Sequence, residues 1–498
     1  MISARGGIKR KLRPNTRQFA VYAVGEAWTG ALGIGNFQED IPGHYDDEED
    51  FVTNLKPMYT GPVHSVATGW GHTAVLTPDR ELLLTGRPHD FSALLRLKRL
   101  PKMIRDYSVR QTVESTILDS PKLKTESRGI DLFNPTELVG SLVSWLSDSL
   151  SPDAKGWEAA RSQSILSTLT AVEAAAGNVH QPVTVACSAG FTAFITTEGH
   201  LYAFGLNGYG QCGSGYTVNN LWHPTRVTGL SSEFAEGPRA QMEQSFPITQ
   251  VELGLQHAIC LNSEGEVFCW GKGERGQLGQ EVILGESHTA LPVKKTFSFT
   301  GQEDVVAAFE GNSKPVYERI GKVRQVAAGL IHSAALTDDN RVLIWGKHVL
   351  PAFGDDVGKK IASDALLPFV LHGLPPTLRV EKIACGSHHT AMSMEDGSVW
   401  AVGVASDDKV PIHVPVQLVP AGVIEMPVRQ FAAHMDRTTI VGNSGRTVHQ
   451  VHLWKDPEIQ EYALFTPPWL DQLLLQDSDM TIREVHRSWV HSVVVTDP

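Results

Sequence analysis

Seven times along the chain one short pattern returns, and that repetition restricts the fold more than any other feature. It consists of an apolar run, a small residue, two variable residues, a histidine, a hydroxyl-bearing or small residue, and a second apolar run. The copies are VATGWGHTAVLT with His72, VACSAGFTAFIT with Phe191 in the histidine place, VELGLQHAICL with His257, VAAGLIHSAALT with His332, IACGSHHTAMSM with His389, FAAHMDRTTIV with Arg437 and VHRSWVHSVVVT with His491. Successive anchors lie 119, 66, 75, 57, 48 and 54 residues apart. All intervals but the first suit one four-stranded propeller blade with its loops. Length alone, 498 residues, would suggest about three ordinary domains. The repeat overrides that count.

A second signature follows most anchors: GHLYAFG from Gly199, GEVFCWG from Gly265, NRVLIWG from Asn340 and GSVWAVG from Gly397. Alternating apolar and aromatic residues bounded by Gly, Asn and Asp turns predict hairpins with one packed face. A glycine-rich loop, GYGQCG from Gly208 and GERGQLG from Gly273, follows twice. The last anchor ends at Pro498 without a hairpin partner, whereas FAVYAVG from Phe19 and the loop Gly30-Ala31-Leu32-Gly33 lack an anchor before them. The N-terminal strands are therefore expected to complete the C-terminal blade and close the ring, leaving no open sheet edge between first and last blades.

Together these motifs resemble the regulator of chromosome condensation repeat family, over about 400 of the 498 residues, from Phe19 to about Arg87 and from Pro182 to the end. The resemblance implies an all-β, seven-bladed β-propeller spanning residues 19–498. In this family the histidine and the adjacent hydroxyl tie strands within and between blades. That structural role is carried to His72, Thr73, His257, His332, Ser333, His389, Thr390, His491 and Ser492, with His388 as a spare. Departures are Phe191 and Arg437 in the histidine place, Ser188, His434 and Ser488 in the glycine place, and loss of the GQLG loop from later blades. This degeneration resembles the mitochondrial members of the family. Light-sensing members use clustered Trp with Arg partners, but here only Trp70 and Trp489 hold the anchor-following position, which argues against that use.

Composition narrows the function. The balance of 43 Lys and Arg against 55 Asp and Glu gives a net charge of −12, unlike a dedicated nucleic-acid domain, so any RNA contact must be local. No apolar run reaches the ~18 residues that span a bilayer, and no signal peptide opens the chain. Five cysteines without a CxxC pair suggest neither a disulfide framework nor zinc, and read as small buried residues in a reducing compartment. One histidine per blade cannot converge on one ion at ligand distance. No phosphate-cradling glycine loop, zincin helix or hydrolase elbow is present, so no catalytic residue, cofactor or metal is expected.

Two segments lie outside the repeat. Residues 1–18 form a basic tail with Arg5, Lys9, Arg10, Lys11, Arg13 and Arg17, and no acid appears before Glu26. This is the charge pattern of a mitochondrial presequence, with a nuclear localisation patch or a solvated tail as alternatives. Residues 88–181 read as a mainly helical insertion. In FSALLRLKRLPKMIRDYSV, Arg96, Lys98, Arg99, Lys102 and Arg105 alternate with Leu94, Leu95, Leu97, Leu100, Met103 and Ile104. The segment suits partner or rRNA contact, or an apolar stripe packed on the propeller. The acidic run Asp46 to Asp50 reads as a solvated loop, and the stretches 231–247 and 281–320 as long surface loops.

The function expected on this basis is a non-catalytic propeller scaffold in mitochondria. Its partners would be mitochondrial ribosomal proteins or RNA-modifying enzymes, with rRNA contact, as for family members in mitochondrial ribosome assembly. The alternative, also implied by the resemblance, is a guanine-nucleotide exchange factor for a small GTPase, in which case the long loops are the places for an inserted wedge and the protein acts in the nucleus or cytoplasm.

Overall fold

The computed structural model describes residues 20–26, 51–86, 181–231, 244, 246–299, 315–350, 363–404, 412–434, 437–453, 464–476, 480–488 and 491–497. Each anchor folds as predicted: an inner strand, a tight turn at the small residue, and a second strand running back that is buried over most or all of its length. Blade 1 shows three strands, Ser65–Thr68, His72–Leu76 and Leu82–Gly86. Blade 2 is Pro182–Cys187, Phe191–Thr196, Leu201–Leu206 and Asn220–Arg226, and blade 3 is Ile248–Leu253, His257–Asn262, Val267–Lys272 and Glu286–Pro292. Blade 4 is built on Val323–Ala328, His332–Thr337, Val342–Leu350 and Ser363–Val370, and blade 5 on Val380–Cys385, His389–Met394, Val399–Gly403 and Ile412–Val419. Blade 6 is Gln430–His434, Arg437–Val441, Val448–His452 and the short Leu464–Phe465.

Blade 7 closes the ring. Its inner strands, Thr481–Arg487 and His491–Asp497, come from the C-terminal end, and its outer strands, Ala20–Glu26 and Phe51–Thr60, from the N-terminal end. Ala20–Glu26 pairs antiparallel with His491–Asp497, from Ala20 opposite Thr496 to Gly25 opposite His491. Val21, Ala23, Val493 and Val495 thereby join Val66 and Val75 of blade 1 in one buried cluster. Both ends of the chain are locked by apolar burial as well as by a strand ladder.

Two features depart from the sequence reading. The stretch 281–320 is not a plain loop. It contributes the outer strand of blade 3 and then a hairpin, Lys295–Phe299 with Pro315–Arg319, which extends blade 4 to six strands. Phe297 explains this: it is nearly buried, and its ring lies 5.2 Å from Phe369 of the blade and 6.2 Å from Tyr317. A helix, Pro468–Gln476, also precedes blade 7. It buries Leu470 and Leu473 against Val441, Val448, Ile482, Val485 and Val494, sealing the seam between blades 6 and 7. The helical insertion at 88–181 and the basic tail at 1–18 lie outside the described residues, apart from residue 181.

Candidate functional site

The anchor turn is shaped by an imidazole lying flat over a glycine. A Cβ added to Gly254 would sit 2.1 Å from His257 Cε1, and one added to Gly329 would sit 2.0 Å from His332 Cε1. The histidine's cross-strand partner is the final glycine of the second signature: His72 opposite Gly86, His257 opposite Gly271, His332 opposite Gly346 and His389 opposite Gly403. Gly271 has φ 94°, and a Cβ there would meet Gln256 O at 2.5 Å. Anchor and hairpin signatures are thus two halves of one packing unit.

The far ring nitrogen of each histidine reaches the next blade. His72 Nε2 is hydrogen-bonded to Thr192 Oγ1 at 2.9 Å, His257 Nε2 to Ser333 Oγ at 3.1 Å, His332 Nε2 to Thr390 Oγ1 at 3.2 Å and His389 Nε2 to Thr438 Oγ1 at 3.3 Å. His491 Nε2 joins the last blade to the first through Thr73 Oγ1 at 2.8 Å, and its Nδ1 is bonded to Ser488 Oγ at 2.8 Å. Ser488 therefore replaces the usual glycine with a partner for the ring. Blades 2 and 6 lack the histidine. Phe191 of blade 2 and Ala258, which stands in the hydroxyl place of blade 3, belong to one buried apolar cluster. In blade 6, Arg437 stands opposite His452 rather than a glycine, with its guanidinium 5.1 Å from the Phe465 ring and near Gln450.

Burial keeps four of these imidazoles neutral. It holds His72, His332 and His491 down to about 3 and His257 to about 4, with His389 and His257 adding to the depression of His332. The glycine-rich loops serve the same seams. Trp270 of blade 3 donates its indole N–H to Gln211 O of the blade 2 loop at 2.9 Å, and Trp345 of blade 4 donates to Gln277 O of the blade 3 loop at 3.0 Å. The GQxG loop of one blade thus receives the tryptophan of the next.

Sequence reasoning missed a further clasp. Gln250 accepts from Val326 N–H at 3.0 Å and donates to Val326 O at 2.8 Å, so its amide imitates a strand between blades 3 and 4. Gln325 does the same to Ile383, and Gln430 to Val485. The only local signal is a glutamine immediately before the first buried residue of the anchor.

Inner strands from all seven blades enclose a cavity of about 330 Å³ on the axis. The residue after the first buried anchor residue is alanine in five blades: Ala67, Ala186, Ala327, Ala384 and Ala432. Glu252 of blade 3 and His486 of blade 7 are the exceptions. Desolvation pushes Glu252 up to about 7 against the lowering effect of its hydrogen bond from Gln250. His486 is bonded to Glu484 at 2.9 Å. His434 is held down to about 3 by burial, with His486 and Arg487 adding to it.

Among the described residues, no group of three His, Cys, Asp or Glu could hold a metal ion, and no helix is long and apolar enough to cross a membrane. All five cysteines are free, four buried and Cys187 half-buried. Burial pushes Cys187 and Cys385 up to about 12. The candidate contact residues Arg96, Lys98, Arg99, Lys102 and Arg105 lie outside the described residues, as does Trp489.

Seven sheets around a closed axis, stapled at five of the seven seams by histidine–hydroxyl bonds, define a seven-bladed propeller of the ring-closed type. Matches to known repeats specify which. The model of the regulator of chromosome condensation (RCC1) repeat matches residues 198–261 and 264–336, and a second model of that repeat matches 183–211 and 248–277. Residues 183–336 thus carry regulator of chromosome condensation repeats. It is 25% identical to the mouse secretion-regulating guanine nucleotide exchange factor over 365 residues, 72% of this chain and 69% of that protein. It is 27% identical to the Arabidopsis thaliana ultraviolet-B receptor UVR8 over 225 residues, 45% of this chain and 42% of the receptor. Among solved structures, Prp20p from Saccharomyces cerevisiae superposes with a TM-score of 0.54 at 16% identity, covering 97% of this chain and 92% of that one. Human WBSCR16 superposes with a TM-score of 0.56 at 16% identity, covering 97% and 99%.

Proposed function

We propose that the protein is a non-catalytic propeller that binds partner proteins, acting in mitochondria in ribosome assembly. One observation carries the scaffold part: the repeated histidines, the residues best suited to chemistry, are buried and bonded to neighbouring blades. They are spent on rigidity, which leaves recognition to the loops and edges that the frame displays. The mitochondrial part is supported by the basic run from Arg5 to Arg17 and by the degenerate repeats. Affinity purification of the tagged full-length protein from its native cells, followed by sedimentation, tests it. Recovery of ribosomal proteins and rRNA in ribosomal fractions is the expected outcome, and migration apart from them overturns the assignment.

A second reading, a guanine-nucleotide exchange factor, is favoured by the mouse relative of that name, which aligns over 72% of this chain. The Prp20p structure is described with binding to Gsp1p and histones. Release of labelled nucleotide from a panel of small GTPases discriminates, because an exchange factor accelerates release at substoichiometric amounts and a scaffold does not.

A further inference from the structure

The outer edges of the blades are blunted by proline. Pro224 lies in the outer strand of blade 2, Pro292 in that of blade 3, Pro368 in that of blade 4, Pro415 in that of blade 5 and Pro57 in that of blade 7. In blades 2, 4 and 5 it falls where the strand register is irregular. A proline has no N–H to offer a further strand, so such an edge resists pairing. Blade 4 continues past its proline. Lys295–Phe299 joins it in parallel at Phe297 and Phe369, with Thr296 Oγ1 donating to Pro368 O at 2.8 Å. Pro315–Arg319 then forms a new edge, whose proline stands only at its first residue.

The direction of the backbone groups on this edge follows from one bond. Ile320 N–H donates to Lys294 O at 2.9 Å, and the register pairs Thr296 with Glu318, Phe297 with Tyr317 and Ser298 with Val316. Bonded and non-bonded pairs alternate in an antiparallel ladder. Val316 and Glu318 therefore turn their backbone groups inward, and Tyr317 turns its N–H and C=O outward, beside the outward C=O of Pro315. Among the described residues no strand lies beyond this edge. The Tyr317 side chain is 59% exposed and ends an aromatic row that runs back through Phe297 to Phe369. Lys295 and Arg319 face each other at one end, and Lys295 also pairs with Glu281.

We propose that Pro315–Arg319 is a strand-addition site for an extended segment of a partner protein. The segment exchanges hydrogen bonds with the Tyr317 backbone, lays an apolar side chain over the Tyr317 ring and presents an acidic residue towards Lys295 and Arg319. A second copy of this chain is a poorer occupant. The strand is roughly 17 Å long, and two copies paired along it alone fall well short of the ~1,200–2,000 Å² buried in stable interfaces. The proposal rests on the partner-binding reading but names a surface that reading leaves open.

The test uses the full-length protein and a phage-displayed library of seven-residue peptides. Enriched peptides should alternate apolar residues and carry an acid. Tyr317→Pro, which removes the outward N–H together with the ring, should weaken their binding about tenfold or more, consistent with losing a backbone hydrogen bond and an apolar contact, with thermal unfolding little changed. Tyr317→Thr loses the same ring but keeps the donor and should weaken binding less, so the difference between the two variants reads the backbone bond. If Tyr317→Pro unfolds at lower temperature, N-methylation of the peptide at alternate residues tests the same bonds on the unaltered protein. No enrichment, or binding indifferent to both Tyr317→Pro and N-methylation, overturns the site. Native partners recovered equally with wild type and Tyr317→Pro overturn the edge while leaving the scaffold reading intact, whereas no partner from either overturns the scaffold reading itself.

Discussion

At the scale of single residues, the anchor histidine is a structural polar group whose energetic weight lies in what its removal leaves behind. His332→Ala should cost about 1–3 kcal/mol, because Thr390 Oγ1 loses its imidazole partner in a buried seam and keeps only the weak contact to Cys385 Sγ. Urea denaturation measures it, and the double variant with Thr390→Val should lose less than the sum of the two single changes. The same imidazoles make stability depend on pH with a definite sign. In the folded protein they stay neutral down to about 3 or 4, whereas in the unfolded chain they take up protons near 6.5. The unfolded state binds more protons in that window, so stability should fall as pH drops from about 6.5 towards 4. Glu252 acts in the opposite sense. Raised to about 7, it retains a proton that the unfolded chain releases above about 4.5, so its contribution is present below 4.5 and is lost as pH rises to 7. Glu252→Gln should therefore raise the melting temperature at pH 8 relative to wild type and leave it little changed at pH 4, as calorimetry at the two pH values would show.

At the scale of elements, the unit that folds is the anchor with its hairpin, and glycine is demanded where the two meet. Gly254→Ala forces a methyl onto the His257 ring and should destabilise by about 1–3 kcal/mol, the usual range for overpacking. Gly208→Ala, in the neighbouring loop, meets no atom within 4 Å and should be neutral. Thermal unfolding of the pair separates a packing glycine from a merely permissive one. The loops are legible in the same way once their partner is known. The GQxG carbonyl and the next blade's tryptophan occur together in blades 2 with 3 and 3 with 4. In blade 5 the tryptophan place is Val402, and the blade 4 connection lacks the motif. The hairpin at 295–319 was read as loop because its strands are short and polar: Thr296, Ser298, Glu318 and Arg319 interrupt the apolar alternation. Only contact of Phe297 with Phe369, 72 residues away, makes them strands. The helix at Pro468–Gln476 is likewise decided by the apolar seam it covers.

At the scale of the whole molecule, closure is the organising event. The His491–Thr73 bond joins residues 418 positions apart, and the Ala20–Glu26 ladder completes the blade that holds it. Deleting residues 1–26 should abolish cooperative unfolding or lower the melting temperature far more than deleting residues 1–18, because only the former bares the His491–Asp497 strand and the valine cluster beside it. Circular dichroism melting of the two truncations measures the difference.

The sequence by itself determined the number of blades, the anchor and hairpin strands, the position of the packing glycines and the need for the N-terminal strands to complete the last blade. All of these follow from period-2 alternation and from turn residues a few positions apart. Tertiary structure alone decided which hydroxyl each histidine meets, the glutamine clasps, the axial cavity that Glu252 and His486 line, and the extra edge on blade 4. Each of these is a contact between different blades or across a long connection. Such a contact is selected by how whole sheets pack around a common axis, which no local pattern encodes.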